Sequence, residues 1–163
     1  MAVLVANTAD DPEPDPLRIW FRFVRLHRRA SNAIANELKP IGLSIPQFDL
    51  LSTLTEREGV SQQDLAERLY VTKGNVSGLL DRMVEAGLVE RRPIPNDRRS
   101  NALFLTTKGR TLAEQGMSAQ RAYVARTLGQ LQSADLAALE RIVVAWRDRA
   151  RLDEGEPGFQ ADG

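Results

Sequence analysis

A mainly α-helical fold with a small β-hairpin is what this 163-residue sequence predicts. Three observations carry the prediction. Apolar residues recur at helical spacing through most of the chain. Between Gly87 and Thr106 the pattern changes to two short extended runs, LVERR and ALFLT, on either side of a turn-rich tip, PIPNDRRSN. Long apolar-striped blocks, residues 16–42 and 107–150, flank the middle of the chain.

Composition narrows the function classes. The length suits one domain or one compact subunit. Lys and Arg number 22 against 22 Asp and Glu, so the net charge is zero. The charge is unevenly distributed, however. From Arg68 to Arg110 there are nine basic and four acidic residues, a local excess of about +5, while both termini are acidic. With no cysteine there are no disulfides or thiolate metal sites, and with one histidine most nucleophilic triads are excluded. The run KGNVSG has neither phosphate-loop nor nucleophile-elbow spacing. No enzyme, metal or cofactor is expected. No apolar run is long enough to span a bilayer. MAVLVA lacks a basic flank and soon meets DDPEPDP, so it does not read as a secretory signal.

Residues 1–15 read as a disordered acidic arm, because Pro12, Pro14 and Pro16 oppose a helix before Leu17. From Pro16 a helix is predicted to about Lys39. Leu17, Trp20, Phe21, Val24, Ile34 and Leu38 share its stripe, and Ile19, Phe23 and Leu26 widen it. A helix apolar over so much of its circumference needs more than one neighbour. Pro40-Ile41-Gly42 ends it. Ser44 caps a second helix with Pro46 in its first turn, where a missing N–H is tolerated. Phe48, Leu51 and Leu54 point inward, and Glu58-Gly59 closes it.

Residues 61–83, SQQDLAERLYVTKGNVSGLLDRM, organise the rest. Ser61 and Asp64 fit a capping box. Leu65, Ala66 and Leu69 form the apolar face of a short helix, Tyr70-Val71 the corner, and Thr72 the cap of a second helix. Val76, Leu79, Leu80 and Met83 face the core, leaving Lys73, Gly74, Asn75 and Ser77 on a short-chained polar face free of carboxylates. Such a helix end suits a major groove. Gly87 fits a left-handed helix terminus. In the hairpin that follows, Asp97, Arg98, Arg99 and Ser100 sit at the tip and Arg91 and Arg92 at the base. Arginines on a thin projection suit a narrow minor groove. Asp97 either pairs with Arg99 and aims it or merely starts the turn. The whole is a winged helix-turn-helix. Thr106 is predicted to cap a long helix to about Leu131, with Gly116 and Gly129 as weak points. Ser133 caps a last helix striped by Leu136, Leu139, Ile142, Val143 and Trp146, and residues 151–163 read as a frayed tail.

At these residues the chain resembles the MarR family of bacterial transcriptional regulators over about residues 16–150. The marks are QQDLAERL in the first helix of the pair, TKGNVSGLLDRMVEAGLVERR through the second, and DRRSNALFLTTKGR in the hairpin. The resemblance implies an obligate dimer on a pseudo-palindromic operator, base contacts from the second helix and a minor-groove arginine from each wing. One departure is Gly78, which has no side chain where many relatives carry a larger residue. The family commonly binds small aromatic acids in a crevice between dimer helices and DNA-binding lobe. In its peroxide-sensing branch a cysteine stands where Trp20 stands here, so thiol sensing is excluded.

The expected organisation is therefore a dimerisation helix at 16–42, a DNA-binding lobe at 43–106 and dimerisation helices at 107–150. Thr72, Lys73, Gly74, Asn75 and Ser77 are the expected major-groove residues. Asp97, Arg98, Arg99 and Ser100 are those of the wing, and Ser61, Gln62 and Gln63 face phosphate. Trp20, His27 and Phe48 are candidate contacts for a small aromatic or phenolic effector, with Arg18, Arg22 or Arg25 meeting a carboxylate. Their plain alternatives are core packing for Trp20 and Phe48 and a surface or interface histidine for His27. The function expected is a cytoplasmic, dimeric, ligand-responsive repressor bound to double-stranded DNA. A protein–protein winged-helix module, or an activator without a ligand, remains open.

Overall fold

The computed structural model describes residues 13–69, 71–94 and 97–153. The expected arm, apart from residues 13–15, and the tail beyond Asp153 lie outside these, as does Tyr70 at the corner. Two compact units divide after Ala119. The first begins with α1 (Pro16–Leu38), followed by a single 3-10 turn and α2 (Ile45–Glu56). A two-residue strand β1 (Val60–Ser61) leads into α3 (Gln62–Arg68) and α4 (Lys73–Glu85). The wing is β2 (Val89–Ile94) and β3 (Asp97–Leu105), after which α5 (Thr107–Arg126) starts. The second unit contains the end of α5, a 3-10 turn at Leu128–Gln130 and α6 (Ser133–Asp153).

Local chemistry sets these boundaries. Asp15 caps α1 by accepting from the amides of Leu17 at 3.0 Å and Arg18 at 3.3 Å, a role the sequence reading gave to the proline alone. Gly42 then turns the chain at φ 75°, a conformation that favours glycine. In α2 the Ser44 amide donates to Gln47 Oε1 at 2.9 Å. Gly87 has φ 67°, and the Leu88 amide reaches back to the Met83 carbonyl at 2.9 Å, closing α4 as expected.

Five features differ from the sequence reading. The sheet has a third strand: β3 is central, with β2 on one side and β1 on the other, paired Val60↔Leu103 and Ser61↔Ala102. The returning strand begins at Asp97 rather than Ala102, because a register shift at Pro93/Ile94 lets Ile94 pair with Asp97. The long helix stops at Arg126 instead of Leu131. Thr127 leaves helical geometry while its hydroxyl donates to the Tyr123 carbonyl at 2.7 Å. Ser133 is the first residue of α6 rather than its cap, since the Gln132 carbonyl accepts from the Leu136 amide at 3.0 Å. That helix continues to Asp153, three residues into the expected frayed tail.

The core lies within the first unit. Leu50, Leu51, Leu54, Leu65, Leu80, Met83 and Leu103 are wholly buried, joined by Phe48 and Val76. Each such side chain contributes about 1.5–3 kcal/mol of transfer free energy. Two glycines bring α5 against this core. A Cβ on Gly109 would stand 1.9 Å from the Leu88 carbonyl oxygen, and one on Gly116 would stand 2.5 Å from the Phe48 ring. Gly116 is thus a close-packing point rather than a weak one.

Candidate nucleic-acid interface

The helix α4 is anchored before it is exposed. Ser61 and Asp64 form the expected capping box: Asp64 accepts from the Ser61 amide at 3.0 Å, and Ser61 Oγ accepts from the Asp64 amide at 3.1 Å. The Ser61 hydroxyl and amide together hold the Asp64 carboxyl below its ordinary range. The Thr72 hydroxyl accepts from the Asn75 amide at 3.4 Å, capping α4 as expected. Val76, Leu80 and Met83 fix the buried side of α4, and Thr72, Gly74 and Asn75 are exposed at its start. Of Lys73 only the backbone is described.

Several residues expected to contact DNA already bond within the protein. Gln62 Nε2 donates to Ser77 Oγ, linking the start of α3 to α4. Gln63 Nε2 donates to Glu67 Oε1 at 3.2 Å. Asp97, Arg98, Arg99 and Ser100 form the first four residues of β3. Their side chains lie outside the described residues, so the pairing of Asp97 with Arg99 does too.

The basic excess is partly spent on architecture. Arg91 bridges β2 to α4 through Asp81 at 2.6 Å. Arg92 pairs with Glu90 and places its guanidinium 4.1 Å from the centre of the Phe104 ring. Lys108 Nζ donates to the Ala86 carbonyl at 3.0 Å, at the C-terminal end of α4. Glu58 Oε1 accepts from Arg110 at 2.8 Å and from the Leu105 amide at 2.9 Å. Burial pushes the Glu58 carboxyl up. These two donors, with the nearby Arg110 and Arg92 charges, outweigh it and hold the group below 4.5. Its stabilising contribution is therefore present above that value and is lost as pH falls through the lower folded value.

Arg82 lies outside the expected contact set but beside it. The space a Gly78 side chain would occupy has Arg82 Nη1 3.7 Å away. The gap attributed to Gly78 is approached by a guanidinium from one turn later. Glycine followed four residues on by arginine was the available signal. Arg82 also borders a crevice of about 430 Å³ beside Asn75, with Pro46, Asp49, Leu69 and Leu79 among its walls. Burial pushes the Asp49 carboxyl up there.

The candidate effector residues are not brought together. Phe48 is 2% exposed and belongs to the core, the plain alternative given for it. Its ring fills the space beside Gly116. Trp20 and His27 lie on α1 on either side of Phe23, each ring centre 6.3 Å from that of Phe23. Arg18, Arg22 and Arg25 do line one recess of about 460 Å³ with Asp15, Leu17 and Phe21, and Arg18 Nε is buried without a hydrogen-bond partner among the described residues.

Comparison with known proteins decides the family. Residues 41–100 match the model described as MarR family. The transcriptional activatory protein BadR of Rhodopseudomonas palustris is 32% identical over 98% of this chain and 94% of its own length. The chain belongs to the MarR family. An HTH-type transcriptional repressor of Mycobacterium bovis is 31% identical over 68% of this chain and 79% of its own. Among solved structures, AbsC of Streptomyces coelicolor, a MarR-family transcriptional regulator, superposes with a TM-score of 0.77 at 25% identity, covering 86% of this chain and 99% of that one. A mutant E. coli MarR crystallised with operator DNA gives 0.69 at 26% identity, covering 81% and 98%. As a MarR-family protein this chain is a DNA-binding transcriptional regulator with a winged helix. Among the described residues no helix is long and apolar enough to cross a membrane.

Proposed function

We propose that this MarR-family regulator is a cytoplasmic, ligand-responsive repressor that binds a pseudo-palindromic operator as a homodimer. The observation that carries the reading is the start of α4. It presents a polar end with Asn75 exposed, on a helix whose other side is fixed by Val76, Leu80 and Met83. Lys73, Asn75 and Ser77 read base edges, Thr72 and Gly74 permit close approach, Arg98 and Arg99 enter the minor groove, and Ser61–Gln63 face phosphate. Ser77 and Gln62 exchange their mutual hydrogen bond on docking. Dimerisation through α1, α5 and α6 is supported by the apolar residues these helices leave exposed, such as Phe21 at 52% and Ile142 at 55%. A second copy places two reading helices about 34 Å apart, one DNA turn.

An effector carrying a carboxylate fits the Arg18–Arg22–Arg25 recess, with Trp20 and His27 on the same helix. Binding there releases DNA by favouring a different spacing of the two heads. The activator reading is favoured by one observation, the near-full-length match to a protein named as an activator. Selection of bound DNA from a random pool tests the core of the proposal. An inverted repeat supports it, whereas no enrichment of any sequence would refute it. Transcription in vitro from a promoter bearing the selected site then separates repression from activation.

A further inference from the structure

We infer that Glu58 is a positioning residue for the wing, setting the angle at which the β2–β3 hairpin meets DNA. The inference rests on the minor-groove reading of the wing given above. β1 is only two residues long and pairs Val60 with Leu103. Continued antiparallel, that register would put the backbone of residue 58 opposite Leu105. The chain departs instead at Gly59, whose φ is 77° and whose amide donates to the Leu103 carbonyl at 2.8 Å. The Leu105 amide, at the end of the central strand, is left without a ladder partner. The Glu58 carboxylate supplies it, accepting at 2.9 Å in place of the missing backbone carbonyl.

The same oxygen accepts from Arg110 in the first turn of α5 at 2.8 Å. One carboxylate thus ties the exit of α2, the root of the central wing strand and the start of α5. Arg92, stacked on Phe104 in the adjacent strand pair, adds a second positive charge nearby. The opposite flank of the wing is tied to α4 by Asp81 and Arg91. The hairpin is therefore braced from both sides at its root, and Glu58 is the brace that no backbone pairing duplicates. Without it the root of β3 gains freedom, and an arginine at the far end of the hairpin is delivered less accurately to its groove.

The test compares the wild type, Glu58→Gln and Glu58→Ala on the selected operator and on a copy whose wing-facing A·T pairs are replaced by G·C. The wild type is expected to bind the replaced copy roughly tenfold more weakly. Glu58→Ala should bind both duplexes alike, at about the weaker of the two wild-type affinities. Glu58→Gln retains an acceptor for Leu105 but loses the charge facing Arg110, so it should fall between them. This isosteric variant also keeps the test decisive if Glu58→Ala fails to fold. Discrimination equal to wild type in folded Glu58→Gln and Glu58→Ala would overturn the role of Glu58 alone. A wild type indifferent to the replacement would overturn the minor-groove reading, and this inference with it.

Discussion

Leu80 in α4 and Ile142 in α6 occupy the same kind of position, each in an apolar row recurring at helical spacing. The first has no exposed surface, while the second keeps 55% of its surface exposed. The contrast extends to their surroundings. The first unit encloses a core drawn from five helices and the sheet, whereas the 21 residues of α6 include none that is buried. The periodicity of a stripe tells which side of a helix seeks cover, but not whether its own chain provides that cover. The core of the lobe closes within one polypeptide, and on the proposed reading a second copy covers the exposed row of α6.

The sharpest way to break this contrast is to weaken its complete half. Leu80→Ala should cost about 2–5 kcal/mol of stability by chemical denaturation. A smaller loss would mean that the lobe relaxes around the cavity. On the other half, Ile142→Asp should weaken self-association by about 2–4 kcal/mol, giving a lighter species by light scattering at micromolar concentration. An unchanged mass would place the interface elsewhere. Arg99→Ala tests whether the lobe reads DNA with its wing as well as its helix, with an expected loss of about 1–3 kcal/mol in specific binding measured by titration of labelled operator. The smallest effect is on the reading helix itself. A Cβ at Gly78 meets only Arg82 Nη1 at 3.7 Å, so Gly78→Ala should stabilise the fold by about 1 kcal/mol and raise the melting temperature. A lowered melting temperature would show that the backbone there is strained.

Much of the lobe was legible because its signals are local. Ser61 with Asp64, Thr72 before α4 and Gly87 after it each act within a few residues, and each occupies the expected place. Sequence reading failed where the partner is distant. β1 is too short to show alternation, and only its pairing with β3 defines it. The glycine at 116 looked like a flaw in a helix until Phe48, far away in sequence, came to lie against it. The site shows the same division. Ser77 and Gln62 were both legible as polar and forward-facing, but nothing in their spacing announced that they bond to each other. Likewise Arg91, Arg92, Lys108 and Arg110 counted as free positive charge until their internal acceptors were located.

The two close approaches along α5 also bear on the proposed ligand response. Gly109 locks onto the Leu88 carbonyl and Gly116 onto the Phe48 ring, two turns apart on one side of the rod. That stretch of about 10 Å cannot pivot on the lobe without driving atoms into one another. On the proposed ligand-responsive reading this stretch is a handle welded to the lobe, through which a pull on α5 would turn wing and helix as one piece.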